Sequence, residues 1–264
     1  MNKLLCTVLF AAGPASLALA AQVPAPGPLQ VPEASLRIGT GAAYVPEYAG
    51  AQHARAFPLL DVEYTTSVGL FASSRGGIGY QASAGPARFS AALGVDPGRR
   101  ERSSRTRPGS NVLRGMGDVR SSSLLKLGTG YDLGFMSVGL EANLALTRRE
   151  RGNSVELAAQ VPLPSSDSNR LALVFSADYG DRKYTQLYFG VTPLQSQRSG
   201  YAVFKAKAGF NKVALGLNWS RPLTKNWSLN AVAGGLRMVG DAANSPITKK
   251  KTAPVVLTTV NYSF

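Results

Sequence analysis

From Leu36 onward the apolar residues of this chain recur at every second position. The clearest run is Phe135 to Thr147. Met136, Val138, Leu140, Ala142, Leu144 and Leu146 form one face, and Ser137, Gly139, Glu141, Asn143 and Thr147 form the other. A period of two belongs to an extended strand with its two faces in different surroundings. Val155, Leu157, Ala159 and Val161 oppose Ser154, Glu156 and Gln160; Leu171, Leu173, Phe175 and Tyr179 oppose Arg170, Ser176 and Asp178. Phe204, Ala206, Ala208 and Phe210 oppose Lys205, Lys207 and Gly209, and Val213, Leu215, Leu217 and Trp219 oppose Lys212, Gly216, Asn218 and Ser220. The pattern predicts strands near 34–45, 57–65, 68–84, 86–96, 118–131, 135–149, 153–163, 170–180, 201–210, 212–223, 226–239 and 254–264. That is about twelve, the even number that returns both ends of a closed barrel to one side. In the third, Arg75-Gly76-Gly77 reads as a bulge or a tight turn. A turn would make thirteen, so parity favours a bulge, or one mistaken strand elsewhere.

Alternation alone also fits a soluble sandwich. Strand length favours a membrane, since roughly 9–11 tilted residues cross a bilayer. So does the placing of Tyr44, Tyr64, Tyr131, Tyr179, Trp219 and Trp227 near strand ends, where interfacial girdles form. The chain closes on Val256, Thr258, Val260, Tyr262 and Phe264 in alternation, which resembles the terminal strand signal of outer-membrane proteins. No stretch after Ala20 approaches eighteen consecutive apolar residues, so a span must come from strands closed on themselves. The expected fold is therefore all-β, an antiparallel transmembrane β-barrel of about 12 strands, preceded by a cleaved signal peptide. With Phe264 in the periplasm, the twelve strands place 46–56 and 240–253 outside. They leave the long segments 97–117 and 181–200 in the periplasm, where such barrels usually keep only short turns.

Residues 1–20 carry the signal: Lys3, an apolar run from Leu4 to Leu19, and Ala18-Leu19-Ala20 as the cleavage site, marked by Ala18 and Ala20. The run breaks at Gly13-Pro14 and is short for an anchor, and Cys6 stands too early for a lipoprotein signal. Residues 21–33 hold four prolines and read as an extended linker, leaving 34–264 for the barrel. Export places the product in the outer membrane of a Gram-negative bacterium. The formal net charge is +14. Basicity of that size raises nucleic acid as a partner, but export turns it toward the bilayer and lipopolysaccharide instead.

Candidate chemistry is thin. The single histidine, His53, has no nucleophile elbow beside it, and no phosphate loop, H-E-x-x-H or calcium loop is present. Cleavage after Ala20 removes the only cysteine. No enzyme activity, catalytic residue, cofactor or metal is expected. Asp61 and Glu63 share an inward face and read as members of a lumen network. Arg99, Arg100, Arg102, Arg105, Arg107 and Arg114 form a cluster suited to phosphate or carboxylate, hence to an anionic glycan or partner; the plainer alternative is a solvated loop. Arg148, Arg149 and Arg151 form a smaller cluster, and Lys249 to Lys251 stand where lipopolysaccharide phosphates would lie. Between Lys183 and Gly200, Tyr184, Leu187, Tyr188 and Val191 have the spacing of one helical face, with Phe189 beside them. A short helix ended by Pro193 and seated in the lumen or on its periplasmic rim is expected, acting as a plug. Should the lumen be open instead, Lys126, Lys205, Lys207 and Arg120 would favour anions.

A set of short motifs then carries a resemblance. They are Ala43-Tyr44-Val45-Pro46-Glu47-Tyr48-Ala49-Gly50, Asp96-Pro97-Gly98-Arg99-Arg100, Leu113-Arg114-Gly115-Met116-Gly117-Asp118, Tyr188-Phe189-Gly190-Val191-Thr192 with Ser199-Gly200, and Gly240-Asp241-Ala242-Ala243-Asn244-Ser245-Pro246. In that order they resemble the MltA-interacting protein (MipA) / OmpV family of outer-membrane proteins, over most of the chain. Ala51 departs from the serine that commonly follows the glycine. The resemblance implies a non-enzymatic, monomeric barrel that serves as a scaffold for peptidoglycan machinery, joining a lytic transglycosylase to a penicillin-binding protein. The alternative is a narrow channel or a porin-like protein of envelope stress or adhesion.

Overall fold

The computed structural model describes residues 34–166 and 168–264. The signal peptide with Ala18 and Ala20, and the proline-rich 21–33, lie outside the described residues.

Twelve antiparallel strands close on themselves. They are β1 (Ser35–Pro46), β2 (Ala54–Thr65), β3 (Leu70–Ser73), β4 (Gly77–Ala84), β5 (Ala87–Asp96), β6 (Ser122–Asp132), β7 (Ser137–Ala145), β8 (Ser154–Ser166), β9 (Asn169–Gly180), β10 (Gly209–Pro222), β11 (Trp227–Met238) and β12 (Thr252–Ser263). Each pairs with its neighbours in sequence, and β1 closes the ring on β12 from Arg37↔Ser263 to Tyr44↔Val256. Among the described residues three short α-helices lie in the loops: α1 (Arg182–Phe189), α2 (Pro193–Ser199) and α3 (Gly240–Asn244).

The total of twelve matches the expectation, but two of its members differ and the differences cancel. The stretch 68–84 is a hairpin of two strands joined at Ser74–Gly76, with Ser73 paired to Gly77. Gly77 takes φ +91°, a conformation that a side chain resists. The Ser73 hydroxyl accepts the Gly76 N–H at 2.7 Å and closes the turn. Conversely, 201–210 is no strand until Gly209. Its alternation belongs to an extended loop that touches the rest of the protein through the Val191↔Phe204 bridge.

This exchange reverses the side of two loops. The segments 47–53, 97–121, 146–153, 181–208 and 239–251 all leave the barrel at the end away from Ser35 and Ser263. Among the described residues, the end that holds both termini carries short connections, 66–69, 85–86, 133–136 and 223–226, and the junction where Ser166 pairs with Asn169. Outer-membrane barrels keep short turns in the periplasm and long loops outside. The expected periplasmic place of 97–117 and 181–200 is therefore corrected: both face outward.

The alternation sets the faces as the pattern requires. Ile38, Tyr44, Leu140, Leu157, Phe175, Leu215 and Val260 point outward and are exposed to lipid. Aromatic side chains gather at both ends of this apolar belt. Tyr179 meets Phe210 edge-on at 5.5 Å at the outer end, while Trp227, Tyr262 and Phe264 stack in series at 5.0 and 4.7 Å at the inner end. Inside, the periplasmic half of the lumen is lined by ion pairs, Arg37 with Asp61 and Glu63, Arg75 with Asp61 at 3.4 Å, and Lys126 with Glu141 at 3.0 Å. The outer half holds an apolar cluster of Val45, Phe57, Leu59, Val174, Val232, Leu236, Met238, Val255 and Leu257, with the Lys212–Asp178 pair at 3.8 Å and the buried Glu156 on the inner faces of β8 to β10.

The short β3 leaves its mark on β2, which pairs with it only over Glu63–Thr65. Above that point the β2 edge has no strand beside it. The Val62 N–H and C=O both bond to Ser74, so the even positions face this open side. Pro58, with no N–H to satisfy, stands at such a position, which explains a proline within a barrel strand. The loop after β5 crosses toward this edge: the Gly109 N–H donates to the Glu47 carbonyl at 2.7 Å, and Arg55 donates to the Ser104 carbonyl.

Candidate functional site

The feature that sets this barrel apart from an empty cylinder is its outer mouth. Asp181 caps α1, its carboxylate accepting the Tyr184 N–H at 2.8 Å and, on the other oxygen, the Asn153 N–H at 2.8 Å. The helix start is thus tied to both β9 and the β7–β8 loop. From there α1 packs against β9, β10 and α3, and Phe189 enters the apolar cluster of the outer lumen. Tyr184 and Tyr188, one turn apart, stack at 4.7 Å.

Tyr188 carries the helix across the mouth. Its hydroxyl donates to Asp96 Oδ2 at 3.0 Å, at the end of β5. Arg151, in the turn 149–151, donates to the same hydroxyl, pairs with Asp96, and gives Nη1 to the Arg120 carbonyl at 2.7 Å. Arg99 donates Nη1 to the Tyr188 carbonyl at 2.6 Å. Both guanidinium carbons lie near the Tyr188 ring, at 5.9 Å for Arg99 and 5.5 Å for Arg151, close enough for cation–π attraction. Arg99 is 5% exposed and Arg151 3%, so each charge is desolvated and held by named partners. Burial, with Asp96 beside it, pushes the Tyr188 phenol well above its ordinary value, so it stays a neutral donor. Burial pulls the Arg99 guanidinium down, opposed by Tyr188 and Tyr48.

Above this node the loops are knitted into one cap. Tyr48, Ala51, Leu113, Met116, Val191 and Ile247 share a second buried cluster, with Tyr201 and Phe204 against it. The Tyr48 hydroxyl donates to the Ile247 carbonyl at 2.8 Å, Gln195 Nε2 to Met116 at 2.7 Å, and the Tyr201 hydroxyl to Val112 at 2.7 Å. One Glu101 oxygen accepts the N–H groups of both Gly115 and Gly117 at 2.9 Å. Every motif quoted from the sequence contributes to this cap.

A model of the family described as MltA-interacting protein MipA matches residues 38–264. This chain belongs to the MipA family. Its fold is similar to that of an outer-membrane channel from Pseudomonas putida F1, at 12% identity and a TM-score of 0.51, over 91% of this chain and 100% of that one. It is more distantly similar to the KdgM porin in complex with disordered oligogalacturonate, at 10% identity and a TM-score of 0.38, over 87% and 99%. The outer-membrane channel DcaP of Acinetobacter baumannii stands at 11% and 0.34, over 88% and 96%. At these identities the likeness is one of fold alone. No curated protein matches the sequence. Family and fold together make this MipA-family chain an outer-membrane protein of a Gram-negative bacterium.

The structure disperses some of the residues singled out in the sequence and gathers others. Of the six clustered arginines, Arg100, Arg102, Arg105, Arg107 and Arg114 are exposed on the outer cap, while Arg99 is turned inward onto α1. Arg100 lies 3.6 Å from Asp118. Tyr184, Leu187, Tyr188 and Phe189 belong to α1, and Val191 lies just beyond it in the cap cluster. The helix ends at Gly190, and Pro193 is the first residue of α2, where a missing N–H is harmless, instead of the terminator expected. The rim on which α1 sits is the outer one, not the periplasmic one. His53 is exposed. Among the described residues no group of three or more His, Cys, Asp or Glu is placed to hold a metal. Lys126 lines the lumen, but Lys205, Lys207 and Arg120 stand in outer loops, so they cannot form the cationic lining first suggested. In the sequence Asp96 stands out only as the first residue of the Asp96-Pro97-Gly98-Arg99-Arg100 motif; its pairing is invisible there, because its partners lie 55 and 92 residues away.

Proposed function

We propose that this protein works by binding: a non-enzymatic, monomeric barrel that serves as an outer-membrane scaffold for cell-wall machinery. The observation that carries the reading is α1, laid across the outer mouth and held at both ends. A barrel whose mouth is crossed by a helix anchored through buried Thr185 and Phe189 is suited to be solid, and a solid barrel acts through its surfaces. The family's name supplies a partner class, a lytic transglycosylase, and a penicillin-binding protein is the second component of the scaffold. Both act on peptidoglycan, so they must meet the end that holds the termini. That end offers short turns with exposed apolar side chains, Val68, Leu133, Phe135 and Leu223, together with Lys225. The exposed arginines Arg100, Arg102, Arg105, Arg107 and Arg114 face the other way, toward an anionic glycan at the cell surface.

The test is capture of a purified lytic transglycosylase by the folded full-length protein in detergent. Phe135→Ser combined with Leu223→Ser should weaken capture about tenfold or more, since two anchors of an apolar contact are lost. Replacing Arg102, Arg105 and Arg107 by Gln should leave it unchanged. No capture by the parent protein, or loss only with the arginine variant, contradicts the reading.

A narrow channel is the second reading, favoured by the ion pairs that line the inner half of the lumen. Conductance separates the two.

A further inference from the structure

The lipid-facing positions of the twelve strands are almost free of charge. Among the described residues just two are charged, Arg221 at the periplasmic end of β10 and Arg237 at the outer end of β11. An arginine facing lipid is strongly disfavoured at mid-bilayer in a barrel and nearly neutral near the interface, so both belong at headgroup level. Arg237 faces outward between Val213 of β10 and Thr252 of β12. Among the described residues no acid pairs with it.

Its surroundings are basic as well. Lys251 precedes Thr252, and its carbonyl accepts the Met238 N–H at 2.7 Å, so the lysine is fixed at the head of the β11–β12 ladder. Lys250 is exposed beside it, its N–H directed to the Gly50 carbonyl. Lys205 and Lys207 are exposed on the loop that enters β10. From residue 182 to the end, twelve lysines and arginines stand against one acid, Asp241. That carboxylate already accepts the Lys207 N–H at 2.8 Å. The outer rim over β10–β12 is thus a cationic strip with an apolar wall beneath it, including Phe210, Val213 and Leu215.

We infer that this rim is a lipopolysaccharide site, with Arg237, Lys250 and Lys251 holding the phosphates of lipid A and the wall below taking its acyl chains. The chemistry is specific. Arginine binds phosphate through two parallel N–H donors, and the two lysines add point charge at the same level. The outer leaflet of this membrane supplies phosphate and acyl chain on one molecule, at the height of Arg237. The site stands apart from the α1 node and does not depend on the scaffold reading.

The experiment titrates the folded full-length protein with diphosphoryl lipid A, monophosphoryl lipid A and phosphatidylglycerol, with native mass spectrometry as the readout. Each cation near an anionic headgroup contributes roughly fivefold in affinity. Arg237→Gln should therefore weaken diphosphoryl lipid A about fivefold, and the triple change with Lys250→Gln and Lys251→Gln on the order of a hundredfold. Arg221→Gln, the lipid-facing arginine at the other end, should have no effect. Heat-dependent gel migration verifies that each variant is folded; should the triple variant fail to fold, Arg237→Gln alone decides. Unchanged binding by folded Arg237→Gln overturns the site, as does an equal loss in Arg221→Gln. Phosphatidylglycerol bound as tightly as diphosphoryl lipid A would also overturn it, reducing the strip to a general anionic surface.

Discussion

At the scale of single residues the cap depends on Arg151. It answers the Asp96 carboxylate, the Tyr188 hydroxyl and the Arg120 carbonyl from one buried side chain. Arg151→Ala leaves a carboxylate and a phenol without their donor, and breaking such a buried pair costs about 3 kcal/mol or more. That corresponds to roughly a hundredfold rise in the population of the opened cap. Limited proteolysis of the folded barrel should cut 97–121 and 181–208 correspondingly faster, while heat-dependent gel migration persists. Unchanged cleavage would mean the cap is held by its apolar cluster alone. Arg151 was visible in the sequence only as part of a basic run with Arg148 and Arg149. Its buried role could not be read there, because nothing local distinguishes an arginine that meets a distant carboxylate from one that meets water.

At the scale of elements, legibility followed length. Strands with four or more apolar residues on one face, such as β7 and β9, stand where the alternation placed them. β3 has four residues, too few to display a period, and its tight turn passed for a bulge. The 201–210 segment alternates because Phe204 and Ala206 are drawn into the cap while Lys205 and Lys207 face water, an extended chain without a ladder. The two differences left the total intact and inverted the side of two loops. Cysteine labelling checks the corrected arrangement, since the only cysteine of the chain, Cys6, falls in the expected signal peptide. Ser103→Cys and Gln197→Cys should react with an impermeant maleimide on intact cells, and Ser67→Cys and Lys225→Cys only after the outer membrane is opened. Labelling of the second pair alone on intact cells would return the long loops to the periplasm.

At the scale of the whole molecule, the barrel is built in two storeys. The inner half is charged and pairs its own ions; the outer half adds an apolar cluster to the Lys212–Asp178 pair, and that cluster receives α1 and α3 as a small soluble protein receives helices into its core. The barrel and its orientation follow from strand chemistry, but the closure of the mouth follows from contacts between loops far apart in sequence. Whether the molecule is solid is the claim on which its role as a binding protein rests. Single-channel conductance in planar bilayers measures it directly, comparing the intact protein with a deletion of Tyr184 to Val191 that retains heat-dependent gel migration. The account predicts no steady current from the intact barrel and discrete openings from the deletion. A large, steady conductance from the intact protein would contradict it.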